Sequence, residues 1–317
     1  MRILVTGATG FIGTRLCERL VSQAHEVRGI SRSGGGAIAG VDYQARDFTD
    51  APSISESLRD IDCIVHLAGR AHVLNKQGDS PDLYRAVNRD ATLQLARLAL
   101  AAGVRRFVFV SSIGVNGNES AQQRFTEDSV PAPAAAYARS KLEAEEGLKA
   151  LLHISGMQLV IIRPPLVYGA DAPGNFRTLL KVVDKGIPNP FALVRNARSI
   201  VSVENLASLI SLAAQHPAAA GQLFLASDGM DVSTDQILAA LAQGMQKRRW
   251  SVPVPPLLLA ALLRWVGKGD LYTQLCGSLT VDCAKARRVL GYQPDVDTLQ
   301  SLVRVGNQYR IGRQKRS

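Results

Sequence analysis

The sequence predicts an α/β fold, a doubly wound parallel sheet with a smaller C-terminal substrate-binding lobe. Three observations predict it. An apolar β-type run, Ile3-Leu4-Val5, passes straight into a helix through Gly7, Gly10 and Gly13. Further short apolar runs, such as Cys63 to Leu67 and Arg106 to Val110, are separated by helix-periodic stretches, the pattern of βαβ units. Small and hydroxylated residues close those runs, at the strand ends where open α/β sheets bind ligands.

The glycine loop is a nucleotide-phosphate cradle of Rossmann type. Its three glycines stand where a tight turn, close backbone approach and helix-on-strand packing forbid a side chain, and the helix that follows points free N–H groups at a pyrophosphate. The spacing is G-x-x-G-x-x-G, with Phe11 and Ile12 inside it. A second strand, Glu26 to Ile30, ends in Ser31-Arg32-Ser33. An acid at this point would accept the ribose 2′-hydroxyl, whereas an arginine grips a 2′-phosphate, so the cofactor expected is NADP, with NAD as the alternative. The glycines at 34 to 36 form a flexible loop beside it.

Val41 to Ala45 reads as a third strand, and Asp47-Phe48 after it can flank an adenine. The fourth run ends in Leu67-Ala68-Gly69, small enough for a cofactor to lie against the backbone. His66 within it reads as a packed strand residue, and neighbouring Arg70 is taken as a substrate contact. Asp82 to Ala102 is read as one helix closed by Gly103. Its Asn88 is either solvated or fixes a water or backbone carbonyl. The fifth run, RFVFV, ends in Ser111-Ser112, and Tyr137-Ala-Arg-Ser-Lys141 opens the next helix with Tyr137 and Lys141 one turn apart on one face. A tyrosine titrates near 10, so proton transfer at neutral pH asks for a depression of about three units, about 4 kcal/mol. A lysine cation and an oxidised nicotinamide both favour the phenolate.

The chain has 317 residues, 46% hydrophobic and 20% charged, ample for one body and one lobe. The division expected is residues 1–168 for the dinucleotide-binding and catalytic core and 169–317 mainly for the lobe, with one strand, about 200–226, returning to the core. The net charge of +10 is dispersed apart from Lys247-Arg248-Arg249 and Arg310 to Lys315, without the aromatic-interleaved patch of a nucleic-acid binder. It suits an anionic ligand or a solvated basic face, and the C-terminal RIGRQKRS reads as a frayed tail. Cys17, Cys63, Cys276 and Cys283 lack metal or redox spacing, so reduced thiols, no metal site and a cytoplasmic protein are expected. A strand beginning at Ile3 leaves no room for a leader. Val252 to Val266 is too short and too proline-rich for a membrane span. It reads as a helix docked on the lobe, with peripheral membrane contact as the alternative.

These elements together resemble the extended short-chain dehydrogenases/reductases of the nucleotide-sugar epimerase/dehydratase branch, well over about the first 230 residues and weakly beyond. The resemblance implies pyrophosphate binding at Gly7, Gly10 and Gly13, adenine beside Asp47-Phe48, and a cofactor seated on Leu67-Ala68-Gly69. It makes Ser112, Tyr137 and Lys141 a catalytic trio and puts Asn88 at the family's helix asparagine. Arg163-Pro164-Pro165-Leu166-Val167-Tyr168-Gly169 resembles the strand end along the nicotinamide, which brings in Pro164, Leu166 and Val167. Asn175 looks like the asparagine that meets the substrate diphosphate, and Arg198 like the diphosphate arginine, a surface salt bridge being its alternative. Ala286 to Pro294 resembles the closing helix and turn. A homodimer formed through the helices of Asn88 and Tyr137 is implied as well.

Departures narrow the activity. Ser112 is followed by Ile113 and Gly114, where the sugar 4,6-dehydratases carry an acidic pair, so elimination of water lacks its acid and base. Asn116 replaces a tyrosine, which puts the sugar-pocket contacts in doubt. The expected activity is hydride transfer at C4 of a UDP-linked sugar. A UDP-4-keto-6-deoxy-N-acetylhexosamine 4-reductase of surface polysaccharide synthesis is placed slightly ahead of a UDP-hexose or UDP-N-acetylhexosamine 4-epimerase. A non-catalytic NADP-sensing protein and a reductase of apolar carbonyls are the readings from other classes.

Overall fold

The computed structural model describes residues 1–70, 80–120, 123–153, 155–248, 250–265, 267 and 269–314. Six strands of the core come first: β1 (Arg2–Thr6), β2 (Glu26–Ser31), β3 (Val41–Ala45), β4 (Cys63–His66), β5 (Arg106–Val110) and β6 (Gln158–Arg163). They pair in parallel with a late strand, β9 (Leu223–Leu225), in a seven-stranded sheet of order β3-β2-β1-β4-β5-β6-β9. The direction of winding reverses between β1 and β4, and the crevice there is where such sheets take ligands.

The central strands are apolar on both faces because helices cover both. Alternate residues separate into two cores. Ile3, Val5, Val65 and Val108 face α1 (Phe11–Ser22) and α7 (Val203–Gln215), while Leu4, Ile64, Phe107 and Phe109 face α4 (Ala91–Ala101) and α5 (Ala136–Leu152). That period of two is the strand geometry itself.

The helix read from Asp82 to Ala102 is not uniform. A short α3 (Pro81–Tyr84), capped by the Ser80 hydroxyl accepting from the Asp82 amide, runs into a π-helical segment, Arg85–Asp90, before α4. The wide turn buries Asn88 and gives its amide three partners, a use of π turns common at functional sites.

After β7 (Leu166–Tyr168) the chain builds the lobe. A three-stranded sheet, β7 with β8 (Arg198–Ser202) and β10 (Asp231–Val232), packs with α6 (Gly174–Asp184) and α8 (Thr234–Gly244), while α2 (Ala51–Ser55) belongs to the core, where Ile54 joins the cluster of Leu4 and Ile64. Residues 200–226 comprise the end of β8, α7 and β9, so the core sheet gains β9 and the face that carries α1 gains α7. The remaining elements are α9 (Pro256–Trp265), α10 (Gly269–Cys276), α11 (Ala284–Leu290) and α12 (Thr298–Gln314). Gly291 ends α11 in the left-handed conformation, φ 64°, as a C-terminal glycine does.

One expectation of the tail changes. Arg310 to Gln314 continue α12 rather than fray, because α12 is held along α8, where Gly244 and Gly306 let the two backbones touch. Lys315 to Ser317 lie outside the described residues, as does Arg249 of the basic triplet. Segment 252–266, whose last residue is also outside them, forms α9 but docks through one face only, with Leu259 buried and Leu257, Leu258, Leu262 and Trp265 exposed. Among the described residues, no helix is long and apolar enough to cross a membrane.

Candidate active site

The glycine loop lies at the winding reversal. Gly7 makes its turn at φ +70° with its α-carbon against the backbone of Ala68, and a Cβ on Gly13 would strike the Gly7 carbonyl. Gly10 caps α1 without a side-chain hydrogen bond, so the first-turn amides keep their pull on an anion. Ile12 packs on the core, and the Phe11 ring fills the space where Gly169 has no side chain, 2.9 Å from where a Cβ would stand. At the neighbouring strand end the Ala68 amide donates to Thr6 Oγ1 at 3.2 Å. Gly69 leaves room for Asn88 Oδ1 and Lys141 Nζ, 3.0 and 3.4 Å from its absent Cβ. The Pro164 carbonyl accepts from the Ile113 amide at 2.9 Å, tying the start of β7, with half-buried Leu166 and Val167, to the serine loop.

At the end of β2, Ser31 is buried and its Oγ accepts from the Gly34 amide at 3.1 Å, while Arg32 is exposed. The glycine stretch is packed rather than loose: a Cβ on Gly36 would collide with the Tyr43 ring. Asp47 turns its carboxylate onto its own loop, accepting from the amide and hydroxyl of Thr49 at 2.9 and 2.8 Å. Phe48 sits edge-on to His66, ring centres 5.1 Å apart. His66 is fully buried between Thr6 Oγ1 (2.7 Å) and Thr92 Oγ1 (2.9 Å), and burial pushes its imidazole down to about 3.

Ser112 follows β5 in extended conformation, and its Oγ accepts from the Gly114 amide at 3.1 Å. Its own proton is left to donate. Tyr137 is half-buried in the first turn of α5, with Tyr84 edge-on at 6.1 Å. One turn on, buried Lys141 donates to the Val110 carbonyl at 3.1 Å and lies 4.6 Å over the Phe109 ring. The titration differs from the sequence expectation. Burial, with a smaller contribution from Tyr84, pushes the Tyr137 phenol up to about 12. Burial lowers Lys141 to about 8, with the Glu145 charge opposing the fall. In the protein alone, then, the phenol keeps its proton at neutral pH.

Three residues that sequence reasoning left without this role brace the trio. Arg163 of β6, expected along a nicotinamide, points into the core and grips Glu145 with Nε at 3.0 Å and Nη2 at 2.5 Å, the two side chains being 2% and 0% exposed. Its Nη1 donates to Asn116 Oδ1 at 2.9 Å. Asn116 is therefore an internal strut rather than a sugar contact, and one guanidinium ties the Ser112 loop to the helix of Tyr137 and Lys141. Glu145 stands at the fourth position after Lys141, on the same helix face, which was the signal available in the sequence. Asn88 braces from the other side. It accepts from the Arg70 amide (2.8 Å) and donates to the Arg70 carbonyl (3.0 Å) and to Ser140 Oγ (3.0 Å).

On the lobe side, Asn175 in the first turn of α6 is exposed and donates to Gln274 Oε1 of α10 at 3.2 Å. Arg198 opens β8 half-buried, donates to the Gly277 carbonyl at 2.8 Å, and has no ion pair among the described residues. Burial lowers its pKa and nearby Glu119 offsets part of that. The Ser111 hydroxyl, at the end of β5, is buried with no hydrogen-bond partner among the described residues. An uncapped helix start, a side-chain-free cradle and an unpartnered hydroxyl at the strand ends together fit a dinucleotide.

The family model described as the NAD dependent epimerase/dehydratase family matches residues 3–225. The chain belongs to this family. It is 40% identical to a UDP-glucose 4-epimerase of Vibrio cholerae over 302 residues, 94% of this chain and 92% of that one. It is also 30% identical to a 3 beta-hydroxysteroid dehydrogenase/Delta 5→4-isomerase of Mycobacterium tuberculosis, over 95% and 88% of the two chains. Among solved structures, it is similar to the Thermus thermophilus UDP-glucose 4-epimerase in complex with NAD, with a TM-score of 0.80, 25% identity and coverage of 98% and 99%. Two of these three relatives are UDP-glucose 4-epimerases, and they favour the epimerase that the sequence reading placed second over the 4-reductase that it placed first.

Proposed function

We propose that this chain is a UDP-hexose or UDP-N-acetylhexosamine 4-epimerase. The 40% likeness to a UDP-glucose 4-epimerase over nearly the whole chain is the observation that carries this reading. The half-buried Arg198, which has no ion pair among the described residues, supports it, because a sugar diphosphate supplies the two negative charges that a steroid lacks. Ile113, buried where an acid would have to stand, keeps a dehydratase out of consideration.

The residues divide the work as follows. Gly7, Gly10, Phe11, Ile12 and Gly13 hold a pyrophosphate at α1, and Leu67, Ala68, Gly69, Pro164, Leu166 and Val167 bed the nicotinamide end. When bound, an oxidised nicotinamide supplies the hydride acceptor and a positive charge at the strand ends. Tyr137 takes the proton of the C4 hydroxyl and returns it after the sugar has turned, and Ser112 donates a hydrogen bond to the same oxygen. Lys141, protonated at neutral pH, steadies the phenolate. Asn175 and Arg198 hold the diphosphate, with Arg70 at the mouth. An epimerase returns its hydride, so the dinucleotide need not leave between turnovers. Arg32 gives the adenosine end a cation that accepts the extra phosphate of NADP as well as NAD. Pairing of two copies through α4 and α5 belongs to the same reading.

The test is turnover of purified protein with UDP-glucose, UDP-N-acetylglucosamine and a UDP-4-keto-6-deoxy-N-acetylhexosamine, following product identity and NAD(P)H absorbance. Interconversion of C4 epimers without net consumption of reduced cofactor is expected. Stoichiometric oxidation of NADPH by the keto sugar, with no epimerisation, would restore the 4-reductase.

A further inference from the structure

Helix α9 is apolar all round, PLLLAALLRW, yet only one side of it is covered. Leu259 is buried and Leu263 packs on the lobe core, whereas Leu258, Leu262 and Trp265, at spacings of four and three, are 62%, 56% and 85% exposed. A helix apolar on every side is ordinarily enclosed. Just before it Trp250 is 61% exposed, with the Arg248 guanidinium 5.6 Å over its ring. These are the only two tryptophans in the chain. From 236 to 269 the sequence carries Lys247, Arg248, Arg249, Arg264 and Lys268 and no Asp or Glu.

We propose that the exposed face of α9, with Trp250 and its flanking cations, docks on an anionic lipid surface. Three features select this occupant. Leucines buried in the acyl boundary, indole rings at the headgroup level and lysines or arginines on negative headgroups are the parts of an interfacial helix. The charge fits a negative surface. A second copy of this chain meeting the first across a two-fold axis would bring two basic stretches together, with no acid between residues 236 and 269 of either to relieve them. Helix α9 packs on α10, whose Gln274 meets Asn175.

The two tryptophans make the test direct, since all indole emission arises from this surface. The full-length protein is mixed with vesicles of phosphatidylcholine alone and of phosphatidylcholine with phosphatidylglycerol, and both sedimentation and tryptophan emission are read. With the anionic vesicles the protein pellets and its emission shifts to the blue, and raising the salt reverses both. Arg264→Gln weakens partition roughly fivefold. Leu258→Glu with Leu262→Glu weakens it by about tenfold or more with an unchanged urea midpoint, both positions being exposed. Absence of pelleting and of a blue shift with anionic vesicles overturns the proposal. Equal, salt-insensitive binding to phosphatidylcholine alone removes its electrostatic part and overturns it too. So does a blue shift that grows with protein concentration in the absence of lipid, together with a dimer mass lost in the Leu258→Glu, Leu262→Glu variant, since a second copy would then be the occupant.

Discussion

Replacing Glu145 with Gln leaves Arg163 charged in a place where it is 2% exposed, its fork holding a neutral amide in place of a carboxylate. Breaking one side of a buried ion pair costs about 3–5 kcal/mol, a large part of the 5–15 kcal/mol that typically separates folded from unfolded chains. At a urea m value of roughly 3 kcal/mol/M, the midpoint falls by about 1–1.7 M. Turnover falls as well, because the same guanidinium holds Asn116 behind Ser112 and the helix behind Tyr137. Loss of the Glu145 charge also removes what keeps the Lys141 ammonium from falling further below its ordinary value. Glu145→Leu combined with Arg163→Met removes both charges and restores much of the stability, but not the turnover. Urea titration of the wild type, Glu145→Leu, Arg163→Met and the double variant completes the cycle. A loss below about 1 kcal/mol in Glu145→Gln, or a double variant no more stable than the singles, would refute the reasoning.

Tyr137→Phe lowers turnover by about two to four orders of magnitude while substrate still binds, as calorimetry beside a rate assay reads; full turnover would remove Tyr137 from the chemistry. Arg198→Gln raises KM for UDP-sugars with little change in kcat, and an unchanged KM would return Arg198 to a structural role. Arg32→Glu weakens NADPH more than NADH in a fluorescence titration, whereas equal weakening of both would place Arg32 outside the site. His66 is held neutral, so its folded pKa of about 3 lies below the unfolded 6.5. The stability this provides is full above 6.5 and is lost as pH falls toward 3, about 5 kcal/mol in all and about 2 kcal/mol by pH 5. His66→Gln should flatten that part of the pH profile measured by urea titration.

Strands β3 and β5 run where the sequence placed them, β3 because Val41, Tyr43 and Ala45 alternate with polar Asp42 and Gln44, and β5 because Phe107 to Val110 is a short apolar run bounded by loop residues. The glycines at 7, 10 and 13 carried their positions in their spacing, each where a Cβ meets backbone. The serine loop and the Tyr137–Lys141 pair likewise fell to one strand end and one helix face. The direction of the Arg163 side chain was not legible, because an arginine before Pro164-Pro165 gives no sign of which way it turns. Its partners Glu145 and Asn116 meet it only because β5, β6 and α5 are packed together. The π turn at Arg85–Asp90 was hidden as well, since apolar spacings of two to four suit any helix, and only the bonds of Asn88 to Arg70 and Ser140 fix the wider turn.

By itself, then, the sequence determined the parallel sheet, the glycine turn into the first helix and the residue types at the strand ends, all of which rest on local sterics and on periodicities of two and four. Tertiary structure alone decided which charges are buried and paired, how far the Tyr137 phenol rises and which face of α9 remains open. Burial and electrostatics depend on what the rest of the chain brings alongside a residue, and no local spacing encodes that.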